Sequence, residues 1–395
     1  MNNKSNEVVI VAAARTPIGR YNGSLKNIKA DQLGTIVIRE VLRRSKINSD
    51  EINEVILGQV LTSATGQNPA RQASINAGLP NSIPSHLVNQ VCGSGLRSVI
   101  SGFQTIKLKE AKYIISGGQE NMSRAPHALL YRNDKKLSED KLIDTMINDG
   151  LIDSFNNYHM GVTAENVAEK YNITREEQDI FALNSQEKTQ KAIKENKFQE
   201  EIIKLQIEKD KKKLIFGKDE HPRSNLKLED LKKLKTVFKE NGTVTPGNSS
   251  GINDGAAATV LMTREQAEHK SLEPLVKITS WASCGVEPSL MGLGPIPAVK
   301  EALNKASWSI EDVDLFEINE AFAAQSIAVI RDLKIDQSKV NVNGGAIALG
   351  HPIGASGTRI LVTLIHEMIK QNKTKGCAAL CIGGGMGIAM CVERT

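Results

Sequence analysis

Residues 92–95 read CGSG and residues 350–354 read GHPIG, and each of these glycine-rich turns opens a predicted helix. Each helix is followed by an apolar strand that ends in consecutive glycines, YIISGG at 113–118 and LCIGGG at 380–385. An acidic segment that runs into an apolar strand precedes both turns. The two series lie about 260 residues apart, which indicates an internal duplication.

Strands alternate with helices in both halves, and this order predicts an α/β fold with layered, at least partly parallel sheets. A polar, lysine-rich, helix-heavy segment separates the halves, and a capping-box pattern at Thr174–Glu177 marks the start of one of its helices. Apolar strand character returns at 254–262, so the first core is predicted to close after this insertion. At 395 residues the chain is long enough for two or three domains. The predicted domains are residues 1–120 with 249–271 (N-terminal core), 121–248 (inserted loop domain) and 272–395 (C-terminal core).

The composition is that of a globular chain, with 40% hydrophobic, 24% charged and 4% aromatic residues. The five cysteines are an odd number without the spacing of a disulfide framework, which predicts reduced thiols and a cytoplasmic location. The apolar stretch Val8–Ala14 is too short for a signal segment and is predicted to be a buried strand. Because no window approaches the roughly 20 apolar residues that a membrane span needs, we predict no membrane association.

Lysines crowd the segment Lys188–Lys239, although the formal net charge of the whole chain is only +5. Glutamate and aspartate are interleaved throughout this segment, and helices of mixed sign usually form a solvated face. Proteins that bind single-stranded nucleic acid combine a basic groove with aromatic side chains on which bases stack. Almost no aromatic residues are interleaved here, so we predict no nucleic-acid partner.

Cys92 follows the predicted apolar strand at Leu87 and Val88 and directly precedes a predicted helix. A helix N-terminus offers free N–H groups and the positive end of the helix dipole, which lower the pKa of a thiol and favour the thiolate. Cysteine is also among the most buried residue types, so a buried and inert Cys92 is the competing interpretation. The turn by itself leaves both interpretations open.

His351 lies in a run of small residues, GGAIALGHPIGASG at 344–357, where the backbone can approach a ligand closely. By the duplication, His351 occupies nearly the same strand-to-helix turn as Cys92, and the pseudo-symmetry predicts that both turns meet at one cleft. A histidine next to a cysteine is the arrangement of an activated nucleophile. A histidine that is satisfied inside the core is the alternative.

Cys381 ends a predicted strand and precedes the run GGGMG at 383–387. Consecutive glycines can offer backbone N–H groups to an oxyanion, and a thiol at such a turn can serve as an acid or a base. A thiol that faces the core is the alternative. Cys377 has no paired histidine, so we predict no zinc site. The glycine spacing also differs from that of a Rossmann fingerprint, and the chain contains no Walker A sequence.

Four motifs together resemble the thiolase family: VCGSGL at 91–96, NEAFA at 319–323, the run at 344–357 and CIGGGMG at 381–387. They match in order and spacing, and the resemblance covers essentially the whole chain, most closely with the short-chain, biosynthetic members. It implies the thiolase fold, in which two duplicated α/β core halves form a layered α-β-α-β-α arrangement with an inserted, helix-rich loop domain. It also implies coenzyme A thioesters as substrates, no permanently bound cofactor or metal, and a homotetramer built as a dimer of dimers.

The resemblance assigns a role to each reactive side chain. Cys92 is the nucleophile that becomes acetylated, with His351 accepting its proton, and Cys381 removes a proton from the methyl carbon of a second acetyl-CoA. The enolate then attacks acetyl-Cys92 to give acetoacetyl-CoA and coenzyme A, in a reversible Claisen condensation. One oxyanion hole is assigned to His351 with a water held by Asn319. The other consists of the backbone N–H groups of Cys92 and Gly383.

The resemblance also assigns contacts with coenzyme A, most of them in the insertion. A lysine-rich segment around a polyanionic ligand fits this role. The chain departs from the family pattern at Lys235–Val237, at Pro246 and at Asp230, the last of these near the expected nucleotide groove. Six side chains match contact positions: His159, Met160 and Ser250 along the pantetheine arm, and Arg223, Leu234 and Phe238 around the adenine and phosphates.

Met160 and Phe322 lie in motifs whose side chains would fill the end of the pocket that receives the acyl chain, which favours substrates with short acyl chains. The nearest alternative is a degradative 3-ketoacyl-CoA thiolase, which has the same chemistry with longer chains. A ketosynthase acting on carrier-protein thioesters needs no second thiol, so Cys381 argues against that class. A lysine-rich nucleic-acid binder is the non-enzymatic alternative, and the interleaved acidic residues argue against it.

Overall fold

A mixed β-sheet runs through the molecule and includes strands next to both glycine-rich turns. The computed structural model describes residues 5–129, 142–209 and 212–394, so residues 130–141 and 210–211 of the predicted insertion lie outside the described residues. Ten of the described strands form the large sheet, and the other six form three two-stranded sheets. The strands are β1 (Val8–Arg15), β2 (Gly19–Arg20), β3 (Glu54–Gly58), β4 (Ser85–Val88), β5 (Ile114–Asn121), β6 (His127–Ala128), β7 (Ile143–Asp144), β8 (Ile152–Asp153), β9 (Tyr158–His159), β10 (Leu205–Lys209), β11 (Lys212–Phe216), β12 (Asn253–Thr263), β13 (Val276–Gly285), β14 (Leu315–Ile318), β15 (Lys375–Ile382) and β16 (Met386–Glu393).

Helices cover both faces of this sheet and also occur in the insertion. Short 3₁₀ segments, such as Met122–Arg124 and Pro288–Leu293, connect some of the elements. Within the described ranges the α-helices are α1 (Ala30–Ser45), α2 (Pro69–Ala77), α3 (Ser94–Lys107), α4 (Thr145–Gly150), α5 (Met160–Tyr171), α6 (Arg175–Lys194), α7 (Leu228–Lys232), α8 (Arg264–His269), α9 (Pro295–Ala306), α10 (Ala323–Leu333), α11 (Ala346–Leu349) and α12 (Ile353–Lys370).

The strand order of the large sheet is nearly symmetric. It runs β14-β15-β16-β13-β1-β12-β5-β3-β4, with β2 paired to the start of β12. The run β13-β16-β15-β14 on one side of the β1–β13 pair repeats the run β1-β12-β5-β3 on the other side. In each run the last pair, β3–β5 or β14–β15, is parallel, and the other pairs are antiparallel. The two halves of the sheet therefore have the same topology, as an internal duplication predicts.

Three apolar clusters separate the layers of the fold. The middle cluster joins α3 and α12 to side chains from both halves of the sheet, including Ile114 of β5 and Leu380 of β15. A second cluster joins α1 and α2 to the N-terminal half, and a third joins α9 and α10 to the C-terminal half. Along β15 the side chains alternate, since Ala378 faces the middle layer while Cys377 and Ala379 face the outer helices. The layers are thus α-β-α-β-α, and the predicted layered α/β fold is confirmed.

Helices α3 and α12 approach each other closely because glycines line their contact. A Cβ added to Gly95 would lie 2.7 Å from the backbone nitrogen of Thr358, and one on Gly357 would lie 2.2 Å from that of Leu96. The Thr358 hydroxyl also donates to the Gly95 carbonyl at 2.7 Å. Because each helix starts directly after a glycine-rich turn, this packing brings the two turns to the same end of the sheet.

The described part of the insertion contains helices α4 to α7 and the three two-stranded sheets. Helix α6 begins where the capping box predicts. The Thr174 hydroxyl accepts the Glu177 N–H at 3.2 Å, and the Glu177 carboxylate accepts the Thr174 N–H at 2.7 Å. Because α6 packs against α10 and α11, the insertion is attached directly to the C-terminal half. None of the helices in the described ranges is long and apolar enough to cross a membrane.

Candidate active site

A cavity of about 340 Å³ lies where the two glycine-rich turns meet, and side chains from both halves and from the insertion line it. Its walls are mainly apolar with a few polar groups, which is typical of a small-molecule site. Among the described residues, no group of three or more His, Cys, Asp or Glu side chains is placed to hold a metal ion. The cavity lining includes ten of the predicted site residues: Cys92, His159, Met160, Arg223, Phe238, Ser250, Phe322, His351, Cys381 and Gly383.

Two predicted site residues lie outside the lining. Asn319 is fully buried behind His351, and its Nδ2 atom lies 3.4 Å from His351 Nε2. Leu234 packs against Gly247, and its carbonyl accepts a hydrogen bond of 2.9 Å from Arg175. Asn319 therefore still contacts His351, whereas Leu234 belongs to the packing of the insertion.

Cys92 lies in a strained turn between β4 and α3. Val91 has a φ of 45°, a conformation that β-branched residues rarely adopt. Ser94 holds the turn, because its hydroxyl donates to the Val91 carbonyl at 2.6 Å and accepts the Gln90 N–H at 2.8 Å. This hydrogen-bonded turn presents the Cys92 side chain at the cavity wall.

Burial raises the pKa of the Cys92 thiol to about 11. The backbone N–H groups of Gly383 and of Cys92 itself interact with the thiol and lower its pKa, while the Glu120 carboxyl group raises it. The backbone N–H groups at this turn lower the pKa of the thiol, as expected, but desolvation outweighs them. Cys92 is a neutral thiol at pH 7, and its attack on a thioester requires a base.

His351 is buried, and one of its ring nitrogens is able to accept a proton. Its Nδ1 lies 2.5 Å from the Ser356 hydroxyl, which lies 2.8 Å from the Pro352 carbonyl. Since a carbonyl can only accept, the hydroxyl donates to Pro352, and Nδ1–H donates to the hydroxyl. Burial, together with the Arg359 charge, lowers the pKa of His351 to about 3. The ring is therefore neutral, with an unprotonated Nε2 that can act as a base.

The buried His351 ring should make the folded protein less stable in acid. Its pKa is about 3 in the folded protein and ~6.5 in an unfolded chain, so between these values the unfolded state binds one more proton. The free energy of unfolding should therefore rise with pH across this window, by up to ~1.4 kcal/mol per pH unit from this group. Urea unfolding of His351→Asn between about pH 4 and 6 should show a shallower slope than that of the unaltered protein.

His269→Asn is the control for this measurement, because the His269 side chain is 70% exposed on α8. Its slope should match that of the unaltered protein. Equal slopes for His351→Asn and the unaltered protein would contradict the neutral, buried state of His351.

Cys381 lies at the end of β15, where it is 1% exposed and packs in one apolar cluster with Phe322. Burial raises the pKa of Cys381 well above its usual range, and the nearby Cys92 adds to the shift. The turn after it holds Gly384 and Gly385 at φ of 85° and 83°, a conformation that glycine adopts without strain. Both thiols thus face one cavity, and both are protonated at rest.

His159 and Phe238 form an aromatic side of the cavity. Their rings stack with centroids 4.6 Å apart, and Phe238 meets Phe322 edge-on at 6.5 Å. Burial lowers the pKa of His159, whose Nδ1 accepts an N–H from the first turn of α5 at 3.0 Å. Ser250 lines the same cavity, and its N–H donates to the Ala321 carbonyl at 2.9 Å. The cavity therefore has flat apolar faces with a serine beside them.

Sequence reasoning missed His221 and Met291, which also line the cavity. The His221 ring lies against Gly251, where an added Cβ would come within 2.3 Å of the ring. Burial, together with the Arg223 charge, lowers the pKa of His221 to about 4. His221 stands in a polar, lysine-rich stretch and Met291 in a segment without a recognised motif, so nothing in their local pattern marks them.

The three departures from the family pattern differ in their distance from the cavity. Pro246 lines it. Asp230 accepts the Lys227 N–H at 3.2 Å and so caps α7. In the segment Lys235–Val237, Val237 is 55% exposed. Of the three, the proline is the one that shapes the cavity directly.

Comparison with known families agrees with this geometry. The thiolase N-terminal domain matches residues 8–265, and the thiolase C-terminal domain matches residues 272–394. Because the two matches together cover nearly the whole chain, the chain belongs to the thiolase family.

Relatives with curated names include acetyl-CoA acetyltransferases. The cytosolic acetyl-CoA acetyltransferase of Rattus norvegicus is 52% identical over 396 residues, which cover all of both proteins. The acetyl-CoA acetyltransferase of Paracoccus denitrificans is 54% identical over 388 residues, which cover 98% of this chain and 99% of that protein.

Two solved structures show the same fold. The acetyl-CoA acetyltransferase of Bacillus anthracis superposes with a TM-score of 0.97 at 43% identity over the full length of both chains. Human mitochondrial 3-ketoacyl-CoA thiolase superposes with a TM-score of 0.96 at 41% identity, covering 99% of this chain and all of that one. The expected thiolase fold is confirmed.

Proposed function

We propose that this protein is an acetyl-CoA C-acetyltransferase, which reversibly condenses two acetyl-CoA molecules to acetoacetyl-CoA and coenzyme A. The observation that carries the proposal is a pair of thiols, Cys92 and Cys381, at one cavity that also presents the neutral His351. One thiol suffices for acyl transfer, whereas carbon–carbon bond formation also needs a base for the carbon acid. The relatives named as acetyl-CoA acetyltransferases support the same reaction.

In the first step Cys92 takes the acetyl group. Its thiol proton passes to His351 Nε2, the sulfur attacks the thioester carbonyl, and the bond from the carbonyl carbon to the coenzyme A sulfur breaks. His351 suits this role because burial keeps its ring neutral and Ser356 holds the ring proton on Nδ1. The N–H groups of Cys92 and Gly383, which interact with the Cys92 thiol, form an oxyanion hole for the tetrahedral intermediate. Removing one such donor typically costs ~2.7–4 kcal/mol of transition-state stabilisation.

In the second step Cys381 acts as the base. Because its raised pKa keeps it a thiol at rest, Cys381 becomes a base only after giving up its proton. The coenzyme A thiolate that leaves in the first step accepts this proton, so coenzyme A departs as a neutral thiol and Cys381 remains as a thiolate.

Carbon–carbon bond formation follows. Cys381 removes a proton from the methyl carbon of the second acetyl-CoA, and the enolate carbon attacks the carbonyl of acetyl-Cys92. His351, now protonated, and a water held by Asn319 form the oxyanion hole for the enolate oxygen. Cys92 leaves as a thiolate and takes its proton back from His351, which restores the resting site.

Coenzyme A lies along the cavity and extends over the insertion in this proposal. Arg223 supplies a positive charge and Phe238 an aromatic face for the nucleotide, and the lysine-rich insertion adds positive potential for a polyanion. Leu234, which lies outside the lining, contacts only the nucleotide end. The residues along the pantetheine arm are His159, Met160 and Ser250.

The proposal extends to domain roles, assembly and location. The insertion, residues 121–248, binds coenzyme A between the N-terminal core (1–120 with 249–271) and the C-terminal core (272–395). The family resemblance supports a homotetramer of two dimers. The cytosolic rat relative supports a cytoplasmic location.

A degradative 3-ketoacyl-CoA thiolase with longer substrates is the second candidate, and the likeness to the human mitochondrial structure favours it. Against it, Met160 and Phe322 are 7% and 8% exposed and pack in one apolar cluster with Cys381. These side chains occupy the space into which a longer acyl chain would extend. The filled acyl end therefore favours the short-chain activity.

Chain-length dependence separates the two candidates. The protein with coenzyme A should cleave acetoacetyl-CoA, seen as decay of the enolate absorbance. The value of kcat/KM should fall about 10-fold or more for a ten-carbon 3-ketoacyl-CoA, because overpacking costs ~1–3 kcal/mol. Met160→Ala should narrow this difference by opening the pocket. Comparable kcat/KM values for the two substrates would assign the degradative role. If the protein cleaves neither substrate, the proposed thiolase reaction is wrong.

A further inference from the structure

The Glu120 carboxyl group accepts hydrogen bonds from segments next to both glycine-rich turns, although no step of the proposed reaction uses it. The side chain is fully buried near the end of β5. Its Oε2 accepts the N–H groups of Val60 at 3.0 Å and of Gly354 at 2.9 Å, and its Oε1 accepts that of Leu61 at 3.2 Å. One carboxyl group therefore holds both the loop after β3 and the first turn of α12.

The contact with α12 reaches His351. Gly354 lies in the first turn of this helix, where N–H groups have no partner inside the helix and carry the positive end of its dipole. The same turn carries Ser356, the acceptor of the His351 Nδ1–H. A shift of this turn would move the acceptor and rotate the ring, so Glu120 helps to set the direction of Nε2.

The contact with the loop after β3 reaches Cys92. Val60 and Leu61 belong to one apolar cluster with Met122 and Ile353, and Cys92 packs against it. Glu120 therefore contacts both the loop whose side chains pack around Cys92 and the helix turn that orients His351.

The space around the Glu120 carboxyl group is closed. A Cβ on Gly354 would lie 2.6 Å from Glu120 Oε2 and 2.7 Å from Gln59 Cα. One on Gly118 would lie 2.2 Å from the Gly354 carbonyl oxygen. The first turn of α12 is therefore packed too closely to move toward the sheet, and moving away would break its hydrogen bond with Glu120.

The charge of Glu120 does not favour the nucleophile. Burial, with the nearby Asp254, raises the pKa of Glu120 to about 7, and Glu120 in turn raises the pKa of Cys92. A side chain selected for its charge beside a nucleophilic thiol would be cationic, since a cation stabilises the thiolate. The contribution of Glu120 is therefore geometric.

We propose that Glu120 is a positioning residue for acyl transfer. Its hydrogen bonds fix the loop that packs around Cys92 relative to the helix turn that orients His351. The inference rests on the proposed function. Glu120→Gln keeps the shape but turns one acceptor into a donor that faces an N–H group. Glu120→Asp keeps the charge but is too short to reach all three N–H groups.

Both variants should lower kcat for acetoacetyl-CoA thiolysis about 100-fold, with KM changed less than about threefold, since a small misplacement of reacting groups has this effect. Glu367→Gln is the matched control, because Glu367 is another buried glutamate near the C-terminal end of α12, bonded to the Asn343 side chain. This control should keep kcat within about threefold of the unaltered protein. If Glu120→Gln does not fold, Glu120→Asp carries the kcat test.

Alkylation of Cys92 by iodoacetamide adds a second readout, because it reports the reactivity of the thiol apart from its alignment with His351. Glu120→Gln removes a negative charge and should speed alkylation at about pH 8 by lowering the thiol pKa, whereas Glu120→Asp should not. Slow turnover with faster alkylation in Glu120→Gln supports the proposal. Full turnover in either folded variant, or a loss that only matches the unfolded fraction in circular dichroism, would overturn it. If the unaltered protein cannot cleave acetoacetyl-CoA, the proposed function fails, and this inference fails with it.

Discussion

Cys92→Ala should abolish both uptake of the acetyl group and turnover, with kcat lower by about 10⁴-fold or more. The covalent intermediate has nowhere to form, and the remaining site offers only oxyanion donors and substrate binding. Because His351 and Cys381 act on protons that move only when Cys92 reacts, their contributions are lost together with the nucleophile. Spectrophotometric thiolysis of acetoacetyl-CoA measures the loss, and intact-protein mass spectrometry after incubation with acetyl-CoA measures the acetylation.

Cys284→Ala is the matched control for this substitution. Cys284 is another partly exposed thiol, on β13, and it does not line the cavity. The control and the unaltered protein should each carry one acetyl group, which peptide mapping should place on Cys92. Acetylation and condensation by Cys92→Ala would show that the nucleophile lies elsewhere.

Cys381→Ala should separate the two half-reactions. Cys92 should still become acetylated, because the nucleophile and His351 are intact, and coenzyme A should then leave as a thiolate that takes its proton from solvent instead of from Cys381. Condensation should fall about 10²- to 10⁴-fold, since the methyl group of the second acetyl-CoA no longer meets a positioned base. This variant should release coenzyme A once, in an amount equal to that of the protein, and its further turnover should then be close to zero.

Isotope exchange makes this test sharper. In D₂O the unaltered protein should exchange the methyl protons of acetyl-CoA, and Cys381→Ala should not. Cys377→Ala is the control, since Cys377 is buried on the same strand but packs against the outer helices. Exchange in Cys381→Ala at the rate of the unaltered protein, or an acetyl group found on Cys381, would refute the assignment of roles.

Much of the fold follows from local patterns. The glycine-rich turns at Cys92 and His351 were predicted to open helices, and α3 and α12 begin two residues after each of them. Apolar runs such as Val8–Ala14 were predicted to be buried strands, and β1 is buried along its whole length. These predictions succeed because strand burial, helix caps and sharp turns depend on residues within a few positions of each other.

Local sequence patterns predict less of the candidate site than of the fold. The motifs around Cys92, His351 and Cys381 predict side chains that all line the cavity, and the duplication predicts that the first two meet at one cleft. His221 carries no such signal. It reaches the cavity only because the insertion folds back over Gly251, a contact between segments that no local pattern describes.

The chain order of turns, strands and small residues is thus sufficient for the layered α/β fold and for placing Cys92, His351 and Cys381 among the candidate site residues. Their protonation states were decided by the tertiary structure alone. The turn at Cys92 leaves a thiolate and a buried, inert thiol both open, and the folded structure raises the pKa of this thiol because desolvation depends on everything that packs around the sulfur. Glu120 bonds to Val60 and Gly354, which are 60 and 234 positions away along the chain. Only the folded layers bring such groups within hydrogen-bonding distance, so only they decide which atoms hold the proton and in which direction His351 points.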